Sequence, residues 1–158
     1  MPGKSLFTDA AWEGPPPQPT AATPGRKVLH TLDATFPPGS PASGIAELTA
    51  VSVAAVRAGG GHVLDVSHVI FANGAVTLVL ILAESHLAIH TWPEEDRIAI
   101  DLFSCGAIDA GRVCGELAAA LRLADVRVQR LDRGRGRAVS PRQAGAPGQS
   151  GTDSDSPN

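Results

Sequence analysis

Leu82-Ala83-Glu84-Ser85-His86-Leu87-Ala88-Ile89-His90-Thr91-Trp92-Pro93-Glu94 places the Ser85 hydroxyl, two imidazoles, an indole and two carboxylates in one short stretch. Its second half alternates. Leu87, Ile89 and Thr91 fall on one side of an extended chain, and His86, Ala88, His90 and Trp92 fall on the other. Such period-two alternation marks a half-buried strand. Upstream, Ala75–Leu82 is nearly all apolar and reads as a strand buried on both faces or nearly so. Downstream, Pro93-Glu94-Glu95-Asp96 makes a turn, and Arg97–Cys105 reads as the next strand. Ile98, Ile100 and Leu102 point to its core, with Ala99, Asp101, Phe103 and Cys105 on its other face.

Further out, Lys27–Ala34 reads as a first strand, and Pro37-Pro38-Gly39-Ser40-Pro41 forces a loop because proline fixes φ and removes a donor. Ser43–Ala58 has near-helical spacing at Ile45, Leu48, Ser52, Ala55 and Val56, and Gly59-Gly60-Gly61 ends it. His62–Phe71 reads as a strand, and Asn73-Gly74 as a two-residue hairpin turn. Asp109–Leu123 reads as a second helix, with Asp109 as N-cap and a stripe of Val113, Leu117, Ala120 and Leu121. Asp125–Leu131 alternates as a last strand. The order β-α-β-β-β-β-α-β predicts an α+β fold: a two-layer α/β sandwich, an antiparallel-rich sheet with two helices on one face.

The 158 residues fit one domain. Apolar residues make up 43% and charged residues 18%, enough for a core, while the 17 glycines and 13 prolines gather towards the ends. The expected domain is therefore 27–133, between a mobile N-terminal arm at 1–26 and a disordered tail at 134–158. The formal charge of −3 gives no support for nucleic-acid binding. Two cysteines are too few for a disulfide framework. No run approaches the ~18 apolar residues of a membrane span, and Met1-Pro2-Gly3-Lys4 leads into Pro-rich sequence rather than a signal segment. A cytoplasmic protein is expected.

Taken singly, the polar residues of the central stretch have ordinary explanations: a turn serine, strand histidines, a core indole. His86 and His90 do not make a metal pair, because i and i+4 in a strand lie ~13 Å apart. No Gly-x-Ser-x-Gly elbow surrounds Ser85, which argues against a serine hydrolase using Ser85 and His90.

Their combined spacing is more specific. Glu84-Ser85-His86, then His90-Thr91-Trp92-Pro93-Glu94, then Asp101-Leu102-Phe103-Ser104-Cys105-Gly106 resembles the bacterial and archaeal S-adenosylmethionine decarboxylase proenzymes. The match is dense from Leu82 to Gly106 and weaker, though compatible, over the rest of Lys27–Leu131. The resemblance implies autocatalytic cleavage at Glu84–Ser85, with Ser85 becoming a covalent pyruvoyl cofactor that forms a Schiff base with the substrate amine. It implies that His90 assists the processing proton transfer, with Thr77 a processing hydroxyl in the preceding strand, and that Cys105 is the general acid of decarboxylation. It further implies that Phe71 and Trp92 hold the adenine and Glu94 the ribose. It assigns nothing to His86 or Asp101.

The substrate implied is S-adenosylmethionine, and the product is the aminopropyl donor of spermidine biosynthesis. No metal and no pyridoxal phosphate is implied. The partner implied is a second copy, in a homodimer of processed pairs with active sites near the interface. Two segments depart from the family. Glu95-Asp96-Arg97 stands where a Tyr-Gly-Tyr-like segment is common, and Ala34-Thr35-Phe36 where the first strand often ends in a Gly-Cys pair. Both bear on substrate choice more than on self-processing. A pyruvoyl-dependent decarboxylase of arginine or ornithine is the alternative enzyme, disfavoured by the presence of Phe71 and Trp92. An unprocessed, non-catalytic partner subunit is disfavoured by the presence of Ser85, His90 and Cys105.

Overall fold

The computed structural model describes residues 27–105 and 107–134. The arm expected at 1–26, all of the tail expected at 134–158 except Gly134, and Gly106 of the central motif lie outside the described residues. The elements follow the expected order: β1 (Lys27–Thr35), α1 (Ile45–Ala58), β2 (Val63–Ile70), β3 (Val76–Leu82), β4 (Ser85–Trp92), β5 (Arg97–Ser104), α2 (Ala110–Ala120) and β6 (Ala124–Arg133). All neighbouring strands pair antiparallel, in the spatial order β2-β3-β4-β5-β1-β6. This is the α+β sandwich that the alternation of the sequence predicts.

The core lies between one sheet face and the helices. Leu78, Leu80 and Leu82 of β3, Leu87 and Ile89 of β4, and Ile98, Ile100 and Leu102 of β5 are buried there. Against them pack Leu48, Ala55 and Val56 of α1 and Val113 and Leu117 of α2. Fully burying one such side chain contributes about 1.5–3 kcal/mol, so this face fixes the register of the three central strands. A one-residue slip would turn the whole apolar set outward.

The opposite face carries Thr77, His86, His90 and Trp92, whereas Ser85 pairs with the buried Leu82 and Ser104 and so falls in register with the helix-covered face. Cross-strand pairing sets Leu29, Phe103, His86 and Ile81 in one row, and Ala99, His90 and Thr77 in another. β3 therefore differs from the expectation of burial on both faces. Its core-facing residues are buried, but Thr77 and Val79 are half-buried and Ile81 is 45% exposed. The apolar run reflects a strand whose second face is covered by no element among the described residues. β6 is an edge strand, exposed along its length.

Other expectations shift at their boundaries. A 3-10 turn at Pro41–Ser43 precedes α1, which starts at Ile45 because the prolines cannot continue a helix backwards. α2 ends at Ala120, and Ala120 is exposed rather than part of the stripe. Asp109 caps it as expected, its carboxylate accepting from the Arg112 N–H at 3.0 Å. The β2–β3 hairpin exists but is not a two-residue turn. Gly74 N–H donates to Phe71 O, Gly74 takes φ 83°, and Phe71 N–H donates to Ala75 O, so the loop is one residue longer.

The Gly59-Gly60-Gly61 segment divides its labour. Gly60 takes the left-handed φ of 79° that closes α1. Gly59 and Gly61 provide space instead: a Cβ on Gly59 would lie 2.4 Å from Val113 Cγ2 and 2.9 Å from Asp109 O. Gly59 O also accepts from the Asp109 N–H, so the end of α1 is welded to the start of α2. Gly59→Ala is expected to destabilise the domain by about 1–3 kcal/mol through overpacking against backbone. Urea unfolding of the otherwise unchanged chain checks it, and an unshifted midpoint would refute the close-packed junction.

Candidate active site

The connection from β3 to β4 is only Ala83-Glu84, because Leu82 and Ser85 already pair across the ladder. Neither connecting residue takes a positive φ, whereas Ser85 takes φ 147°, a value that L-residues rarely adopt. The carbonyl of Glu84 is held from one side by Cys105, whose backbone N–H donates at 3.0 Å and whose Sγ–H donates at 3.1 Å. The Glu84 side chain is held from the other side by His62. The His62 N–H donates to Oε2 at 3.1 Å, and its Nδ1 lies 2.8 Å from Oε1. The Ala83 N–H donates to His62 O at 3.0 Å. Strain at one residue and two donors on the preceding carbonyl are what an attack on that carbonyl requires.

A second group of side chains gathers towards the other end of β4. Thr77 Oγ1 and His90 Nδ1 lie 3.0 Å apart across the β3–β4 ladder. The His90 and Trp92 rings are 6.2 Å apart, centroid to centroid. Glu94 sits in a 3-10 turn after β4, where its Oε1 accepts from Asn73 Nδ2 at 3.2 Å. Phe71 and Trp92 are 51% and 41% exposed, unusual for large aromatics with no interior to fill.

The structure therefore brings Glu84, Ser85 and Cys105 together, and Thr77, His90, Trp92 and Glu94 together, but not the two groups. Ser85 and His90 are five residues apart on one strand, a separation of ~16 Å. His86 is accounted for on the open face, where its ring packs against Phe103 at 5.7 Å. His62 and Asn73 are site residues that the sequence reading missed. His62 is remote in sequence from Glu84, and Asn73 has an equally good turn explanation. Among the described residues no group of three or more His, Cys, Asp or Glu is placed to hold a metal ion. No helix among them is long and apolar enough to cross a membrane.

Comparison with known proteins points the same way. The family model described as S-adenosylmethionine decarboxylase matches residues 42–134. The chain belongs to the S-adenosylmethionine decarboxylase family. One relative is an S-adenosylmethionine decarboxylase proenzyme of Moorella thermoacetica, 34% identical over 103 residues, which are 65% of this chain and 80% of the relative. Another, from Symbiobacterium thermophilum, is 46% identical over 78 residues, 49% of this chain and 59% of the relative. Among solved structures, the crystal structure of the adenosylmethionine decarboxylase from Aquifex aeolicus superposes with a TM-score of 0.58 at 25% identity, covering 73% of this chain and 97% of that one. In this decarboxylase-family chain, the motif that carries the resemblance falls on the β3–β4 connection, β4 and the end of β5.

The two thiols differ in setting. Cys105 is exposed at the Glu84 carbonyl, whereas Cys114 is buried in α2, and burial raises its pKa by disfavouring the thiolate. Iodoacetamide applied to the native protein near pH 8 is expected to modify Cys105 faster than Cys114 by roughly an order of magnitude or more. Peptide mass mapping checks this, and equal labelling would contradict the described burial.

Proposed function

We propose that the chain cleaves itself between Glu84 and Ser85, converts Ser85 to a pyruvoyl group, and uses it to decarboxylate S-adenosylmethionine to the aminopropyl donor of spermidine synthesis. The observation that carries this reading is the junction itself, with Ser85 at φ 147° and the Glu84 carbonyl polarised by both donors of Cys105.

The steps follow from these atoms. Ser85 Oγ attacks the Glu84 carbonyl carbon, and the developing charge on Glu84 O is met by the N–H and S–H of Cys105. The C–N bond breaks, the amine takes the hydroxyl proton, and an ester replaces the peptide. Removal of the Ser85 Cα proton then breaks the Cβ–Oγ bond and releases Glu84 as a carboxylate. The dehydroalanine left behind tautomerises to an imine, which water hydrolyses to a ketone and ammonia. No oxidant is needed.

His90 is the proposed base for the Cα proton. Donation from its Nδ1–H to Thr77 Oγ1 would leave Nε2 free to accept that proton. The ~16 Å between His90 and Ser85 along one strand means that this His90 comes from a second copy. The copy would lie on the open sheet face with its β4 running the opposite way, so that its His90 end meets the Ser85 end. The exposed Ile81, Trp92 and Leu131 on that face support such a homodimer.

The pyruvoyl ketone, once made, supplies an electron sink for the carbanion left by carbon dioxide. Cys105, beside it, would return a proton to the substrate α-carbon. Phe71 and Trp92 present exposed ring faces for adenine, and the Glu94 carboxylate, steadied by Asn73, would accept from the ribose hydroxyls. Arginine and ornithine have no use for that aromatic pair.

Release of labelled carbon dioxide from carboxyl-labelled S-adenosylmethionine, with none from arginine or ornithine, is the expected assay result. Release from either amino acid alone would overturn the substrate assignment. For the shared site, His90→Ala chains are expected to stay uncleaved alone and to be cleaved when co-expressed with Ser85→Ala chains. Absence of rescue would place His90 and Ser85 in one chain's site or remove His90 from processing.

A further inference from the structure

The grip of His62 on Glu84 is not needed to explain the cofactor chemistry, yet it is built with some care. Gly61, immediately before it, has no room for a side chain: a Cβ would lie 2.6 Å from Ile108 Cδ1 and 2.7 Å from Val56 Cγ1. The Gly61 N–H donates to Val56 O at 2.9 Å. The chain thus leaves the end of α1 on a fixed path, and His62 is the first residue able to extend a side chain. Three of its four hydrogen-bonding groups are spent on the two residues before the cut. His62 O accepts from Ala83, its N–H reaches Glu84 Oε2, and its Nδ1 reaches Glu84 Oε1. The Glu84 side chain is 12% exposed, while that of His62 is 59% exposed.

We propose that His62 is a positioning residue for self-cleavage, a claim that rests on the reading that the bond after Glu84 is the one cut. Glu84 is held at both ends, by His62 through its carboxylate and by Cys105 through its carbonyl oxygen. With the side chain anchored, the carbonyl carbon cannot swing away from Ser85, and the unfavourable φ of Ser85 cannot relax by rotating Glu84. His62 touches no reacting atom. It acts through Glu84 by keeping the scissile carbonyl in attack geometry. Once the bond is cut, His62 and Glu84 stay in the same fragment, so the grip is retained on the new C-terminus.

The test is a time course of cleavage after cell-free synthesis of the full chain. His62→Ala is expected to slow cleavage by roughly 3–10-fold, the range for a charge-assisted hydrogen bond with one exposed partner. His62→Asn, whose side-chain N–H can stand where Nδ1–H stands, is expected to recover most of the rate. In a Glu84→Ala chain the His62→Ala change should add little, because the partner is already gone. Urea unfolding of the uncleavable Ser85→Ala chain, with and without His62→Ala, should give midpoints that differ only by the small worth of one partly exposed hydrogen bond, separating positioning from folding. A wild-type rate in His62→Ala, an Asn variant as slow as alanine, an undiminished effect in Glu84→Ala, or a large loss of stability would each overturn the proposal. A wild-type chain that never cleaves would instead overturn the cleavage reading beneath it.

Discussion

Two residues carry the chain from β3 into β4, and the strands they join are locked in register by a buried row of leucines and isoleucines. Short connections between twisted strands ask for positive φ within the loop, usually from glycine or asparagine. Ala83 and Glu84 do not supply it, so the unfavourable conformation falls on Ser85. Backbone strain of this kind costs about 1–3 kcal/mol and persists only where the surroundings enforce it. Here the enforcement comes from the core beneath, which will not let β3 or β4 slip, and from hydrogen bonds on either side of Glu84. The sheet is the frame in which one peptide bond is held in an uncomfortable state.

One face of the sheet is packed and the other is open. The helices cover the face that sets the register. The other face is covered by no element among the described residues, and β4 carries His90 ~16 Å along from Ser85. The shared site proposed above would give a use to the half-exposed residues of β3 and to the exposed rings of Phe71 and Trp92.

Much of this was legible in the sequence. The alternation at Leu87, Ile89 and Thr91 against His86, His90 and Trp92 gave both the strand and its two faces, and Asp109 announced the start of α2 as a cap should. The family motif named Glu84, Ser85, His90 and Cys105 together. What it could not convey is distance. Residues grouped in a motif on one strand are spread along its length at about 3.3 Å per residue, so closeness in sequence and closeness in the site are different things. The apolar run of β3 misled for a related reason, since a face awaiting a partner is written in the same residues as a buried one. His62 was invisible because its link to Glu84 depends on the tight exit from α1, a feature of packing around Gly61 rather than of pattern.

The most direct measurement is the intact mass of the purified protein under denaturing conditions. The account predicts two fragments, residues 1–84 and residues 85–158. The second should be lighter by one ammonia than a serine-initiated peptide and should be closed to N-terminal sequencing. A single uncut chain after prolonged native incubation, or a second fragment that begins with an ordinary serine, would contradict it.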